Sequence, residues 1–91
     1  MQEIFGIAAF RSRQQVLRFE AALRREGLMV NVISTPRDVA LGCGLSVRFR
    51  IVDAQAVQRA GAREKPTNMG GLYRVERTGA RTKLTVLALR P

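Results

Sequence analysis

Ile4-Phe5-Gly6-Ile7-Ala8-Ala9-Phe10 contains no polar side chain. A run of that kind, with no alternation through it, predicts a central strand covered on both faces. The period then changes. Ser12 has the side chain of an N-cap, and Gln15 three residues on completes a capping box. Val16, Phe19 and Leu23 recur at helical spacing, with Arg13, Arg18, Arg24 and Arg25 outside that stripe. Gly27 is the expected stop, with Leu28 placed to fold back on the last turn. A buried strand followed directly by an amphipathic helix opens a β-α unit.

Residues 29–35 read as a second strand, with Val30 and Val32 on one face and Met29, Asn31 and Ile33 on the other, ended by Pro36. Leu45, Val47, Phe49 and Ile51 alternate with Ser46, Arg48 and Arg50, which predicts a third strand with one apolar and one polar face. Asp53 is placed to cap a short helix carrying Ala56, Val57 and Ala60, with Gly61 at its end. Residues 63–71 hold Pro66, Asn68 and two glycines and read as a loop. Residues 72–77 and 82–89 read as two further strands, joined by a hairpin turn at Thr78-Gly79-Ala80-Arg81. Tyr73 and Val75 share a face of the first of these.

The order β-α-β-β-α-β-β predicts an α+β fold, a ferredoxin-like split β-α-β sandwich with an extra C-terminal strand, in a single domain over residues 1–91. Both helices are expected over one face of an antiparallel sheet. The first and last strands are apolar on both sides, so the second face also wants cover, and a homodimer or partner protein is expected there.

Composition narrows the chemistry. The 91 residues are 46% hydrophobic, enough for one small globular domain. There is no histidine, which removes Ser-His-Asp and Cys-His catalysis and most zinc sites. With a single cysteine there is no intramolecular disulfide, and no single-chain metal site or cofactor is expected. Neither a P-loop nor a Gly-x-Gly-x-x-Gly motif occurs. The net charge of +9 favours an anionic partner such as RNA, a phosphate or an acidic protein. Its bland reading is a solvated surface and a coding bias toward arginine. Four Phe and one Tyr give little material for base stacking. Glu3 near the start and the short apolar run stopped by Arg11 do not fit a secretory signal, and no run approaches a membrane span, so a cytoplasmic location is expected.

The residues with most to say about function lie between the second and third strands. Cys43 is flanked by Gly42 and Gly44, so the backbone can turn sharply and the sulfur can be approached. Glycine amides can face an anionic sulfur, and Arg37, after the turn set by Pro36, is a fork-shaped donor for an anion. Arg48 and Arg50 leave the same loop along the next strand. The competing reading is a small buried cysteine filling a gap, with Arg37 paired to Asp38. No resolving cysteine exists, so any chemistry is that of one thiol: carrying a sulfur species, forming a mixed disulfide, or adding to an electrophile. Ser12 and Asp53 read as helix caps, and no paired carboxylates for acid–base work stand out.

The pattern Phe10-x-Ser12, then Glu20, Leu23 and Gly27, then Thr35-Pro36-Arg37, Cys43-Gly44 and Phe49 resembles the small proteins grouped as selenium/sulfur carrier protein-like. The resemblance covers residues 4–75, with the end of the hairpin and the C-terminal strand in 76–91. Its most specific part is Pro-Arg followed by Cys-Gly. It implies a compact α/β domain, a persulfide or perselenide on Cys43 with Pro36, Arg37 and Gly44 as motif neighbours, and donor and acceptor proteins as partners. Similar proteins carry serine or another small polar residue ahead of the cysteine, where this chain has Ala40, Leu41 and Gly42, and the last strand here runs longer.

Overall fold

The computed structural model describes residues 2–36, 44–64 and 69–88. In chain order these form β1 (Gln2–Phe10), α1 (Arg13–Arg25), β2 (Val30–Ser34), β3 (Leu45–Phe49), a single 3-10 turn (Ile51–Asp53), α2 (Ala54–Glu64), β4 (Met69–Thr78) and β5 (Arg81–Ala88). The five strands make one sheet in the order β2-β3-β1-β4-β5, and every neighbouring pair is antiparallel. The fold is α+β, with both helices contributing to one core on one face of the sheet. No helix among the described residues is long and apolar enough to cross a membrane.

The unbroken apolar run of β1 explains its central place. Phe5 to Phe10 are all buried, and the strand pairs with β3 on one side and β4 on the other. Its even residues Ala8 and Phe10 join Val16, Phe19 and Leu23 of α1, Val57 and Ala60 of α2, and Val47, Phe49 and Leu72 in the core beneath the helices. Its odd residues Phe5, Ile7 and Ala9 form a second cluster with Val75 on the helix-free face, against which Ile33, Tyr73 and Leu84 pack. Tyr73 and Val75 therefore share a face, as their spacing predicts.

Helix α1 ends as its sequence predicts. Gly27 sits at φ 83°, a left-handed conformation that costs a side-chain-bearing residue energy. The Gly27 N–H donates to the Arg24 carbonyl at 2.9 Å and the Leu28 N–H to the Leu23 carbonyl at 3.2 Å, which satisfies carbonyls left open by the last turn. The other end differs from expectation. Ser12 occupies the N-cap position, but its side chain makes no capping hydrogen bond, so the capping box with Gln15 does not form.

Three further boundaries move. β3 stops at Phe49 rather than continuing through Ile51, because residues 51–53 tighten into a turn closed by the Asp53 N–H on the Arg50 carbonyl at 2.9 Å. α2 runs through Gly61 to Glu64. β4 begins at Met69, inside the stretch expected to be loop, because the end of β1 offers it a partner: Ala9 pairs with Gly71 and Phe10 with Met69 across a bulge. The β4–β5 hairpin turns at Gly79-Ala80, with Thr78 opposite Arg81, as predicted.

Candidate functional site

β2 and β3 are adjacent and antiparallel, with Ser34 opposite Leu45 as their last ladder pair. The segment between them is therefore a hairpin loop. One more step closes its mouth: the Thr35 N–H donates to the Gly44 carbonyl at 2.8 Å. Beside that bond the Thr35 and Ser46 hydroxyls meet at 2.7 Å. Ser46 is fully buried, opposite Ala9 on β1 and Ile33 on β2. Pro36 is half-buried and Gly44 exposed, with open space where a Gly44 side chain would stand. Arg37, Gly42 and Cys43 lie outside the described residues, as does Asp38. Of the predicted site, Pro36 and Gly44 are thus placed at the two sides of the loop mouth.

Register fixes what else lies at that end. Phe10, Ser34, Leu45 and Met69 share one end of the sheet, and α1 begins three residues beyond Phe10. The positive end of the α1 dipole therefore lies at the same end as the loop. Its first turn holds no acid, its Ser12 side chain makes no cap bond, and Arg11 and Arg13 are exposed there. Cations at a helix N-terminus are unfavourably placed, and a nearby anion would relieve that.

Arg48 and Arg50 do not serve the loop as the sequence suggested. The Arg48 guanidinium lies 3.9 Å from the Phe5 ring centroid and 3.3 Å from Glu3. Arg50 Nε donates to Asp53 at 3.0 Å, so Asp53 is an ion-pair partner. Glu3 opens β1, so the charged end of Arg48 is directed toward the other end of the sheet. Ion pairing is general: all six described acids lie beside an arginine, Glu3 with Arg48 and Arg77, Glu20 with Arg24, Glu26 and Glu64 with Arg63, Asp53 with Arg50, and Glu76 with Arg74. Pairs this exposed contribute little to stability. They do leave Arg11 and Arg13 among the cations with no acid beside them in the described structure. No group of three or more His, Cys, Asp or Glu suited to a metal occurs among the described residues.

The hydroxyl pair was missed by the sequence reading, which set Ser46 on a solvated face. The available signal is small: Thr35 and Ser46 flank the two ends of the loop on one face of the hairpin, diagonal to each other, since Ser46 is opposite Ile33. Ser46→Ala removes one member of a buried pair and is expected to cost about 1 kcal/mol. In a domain this small that lowers the thermal midpoint by about 4–8 °C, readable by circular dichroism. An unchanged midpoint would mean the pair does not hold the loop mouth.

These features define a small α+β domain in which the connection between β2 and β3 leaves the sheet at the end where α1 begins, beside the exposed Arg11 and Arg13. A family model described as "Putative Se/S carrier protein-like" matches residues 5–74, and the chain belongs to that family. No curated protein and no solved structure matches it.

Proposed function

We propose that the chain is a sulfur or selenium carrier in which Cys43 bears the cargo as a persulfide or perselenide. The observation that carries this reading is the placement of the Pro36–Gly44 loop, with its mouth closed by Thr35 and Gly44, at the end of the sheet where α1 begins. The α1 dipole, Arg11 and Arg13 favour an anion there, and by sequence Arg37 and the Gly42 and Gly44 amides are the candidate further donors. The family to which the chain belongs supports the cargo.

The transfer requires no external oxidant or reductant. The Cys43 thiolate attacks the terminal sulfur of a donor persulfide. A new S–S bond forms at Cys43, the donor's S–S bond breaks, and the donor leaves as a thiolate. Delivery to an acceptor repeats the exchange in reverse. Cofactors are not needed, and without a histidine or a carboxylate pair the chain acts as an accessory to donor and acceptor proteins rather than as a stand-alone enzyme. A lone thiol of this kind suits the reducing cytoplasm. The strand order and the β-α-β-β-α-β sequence of elements support a ferredoxin-like assignment over the whole 1–91 domain, with β5 as the added strand.

Incubation with a low-molecular-weight persulfide followed by intact-mass measurement is expected to show one added sulfur on the wild type and none on Cys43→Ser. No adduct on the wild type, or the same adduct on Cys43→Ser, refutes the assignment.

A further inference from the structure

The centre of the helix-free face needs no second chain above it, since Phe5, Ile7, Ala9 and Val75 are at most 2% exposed. The edge beside it is different. β5 pairs with β4 on one side, and no described strand lies on the other. α1 packs chiefly on β1, β2 and β3, and while Leu72 of β4 and Leu87 of β5 reach the helix-side core, Thr85 on β5 is exposed. At 8 residues β5 is long for an edge strand, and an edge of that kind is a template for pairing with another chain. It also lies beyond residues 5–74, the stretch that matches the family.

The charge along β5 decides what fits it. Arg81 and Lys83 occupy its first half, while Thr85, Val86 and Leu87 in the second half are neutral, and Val86 is 53% exposed. A strand with cations at one end and neutral residues at the other suits an antiparallel copy of itself.

We propose that β5 pairs with β5 of a second copy of this chain, about a two-fold axis at Thr85. With Thr85 opposite Thr85, Leu84 lies opposite Val86 of the second copy on the helix-free face, and Lys83 lies opposite Leu87. Like charges are kept apart and a Thr–Thr pair sits on the axis, both favourable in cross-strand pairing. Leu84 already packs against the Phe5–Val75 cluster, so the apolar strip continues across the axis and covers Val86. Two five-stranded sheets become one, with the β2 edges outermost. The closed two-fold arrangement uses the same patch on both copies. The inference does not depend on the cargo of Cys43.

Sedimentation of the full chain is expected to give twice the chain mass of 10.1 kDa. Thr85 is exposed in the single chain, so Thr85→Lys leaves the fold intact while setting two cations opposite each other on the axis. That variant is expected to sediment at 10.1 kDa with an unchanged far-UV spectrum. In a Cys43→Ser background, Thr85→Cys is expected to cross-link to itself on mild oxidation, because directly opposed Cα atoms lie about 4.5–5.5 Å apart, within disulfide reach. If Thr85→Lys does not fold, the cross-link decides. A wild type that stays at 10.1 kDa at all concentrations, a dimer that survives Thr85→Lys, an assembly larger than two copies, or the absence of the cross-link overturns the proposal.

Discussion

Phe19→Ala is expected to remove about 3–5 kcal/mol of folding stability. Phe19 is 2% exposed and sits where α1 meets the sheet. Its ring lies 5.4 Å from that of Phe10 at 55°, a tilted arrangement that adds to the burial of both. Truncation leaves a cavity bounded by β1 and α1, whose backbones are held by their own hydrogen bonds and cannot close in fully. A domain of this size has a total stability of about 5–14 kcal/mol, so the loss is a large share of it. Urea unfolding should show a midpoint moved to much lower concentration with the same slope. A loss below about 1 kcal/mol would show that the site collapses around the missing ring, outside the range expected for such a change.

The second large effect is expected at a residue with no side chain. Gly6 is paired with Phe49 across the β1–β3 ladder, and the Phe49 ring lies over its backbone. A Cβ at Gly6 would stand 2.1 Å from Phe49 Cε2 and 2.3 Å from Cζ, far inside contact distance. Phe49 is 1% exposed in the same core cluster as Val30, Val47 and Val57, so the ring can move away only by disturbing packed neighbours. Gly6→Ala is therefore expected to cost about 1–3 kcal/mol by overpacking. The cause can be isolated. Phe49→Leu shortens the group that clashes, so the double variant should lose less than the two single losses added, with a coupling of about 0.5–3 kcal/mol. Strict additivity would place the cost of Gly6→Ala somewhere other than the ring.

The features legible in the sequence are those governed by local chemistry. The unbroken apolar run of β1, the Val16-Phe19-Leu23 stripe, the Gly27 stop and the Gly79-Ala80 turn each depend on a few neighbouring residues, and each stands where its chemistry puts it. What escaped depends on partners distant in the chain. β4 starts early because β1 extends far enough to pair with Met69 and Gly71. Ser46 is buried because register sets it between Ala9 and Ile33, with Thr35 beside it.

The arginines make the same point for the site. A period of two assigned Arg48 and Arg50 to a common face. It carries no information about which way along the strand a long side chain reaches, and that was decided for Arg48 by the tertiary partners Phe5 and Glu3 and for Arg50 by Asp53 in the turn that follows. Conversely, the loop at Pro36 and Gly44 was legible because Pro and Gly punctuate strands wherever they pair. That its mouth lies beside the start of α1 follows only from the strand order.

The bond from Thr35 to Gly44 has one more consequence. It continues the pairing of β2 and β3 one step past Ser34 and Leu45. Thr35 and Gly44 are thus a fixed frame at the two ends of the connection. Lengthening a connection between two such fixed ends adds closure entropy only slowly, so a scaffold of this kind tolerates changes of length and sequence there while its sheet and helices stay as they are.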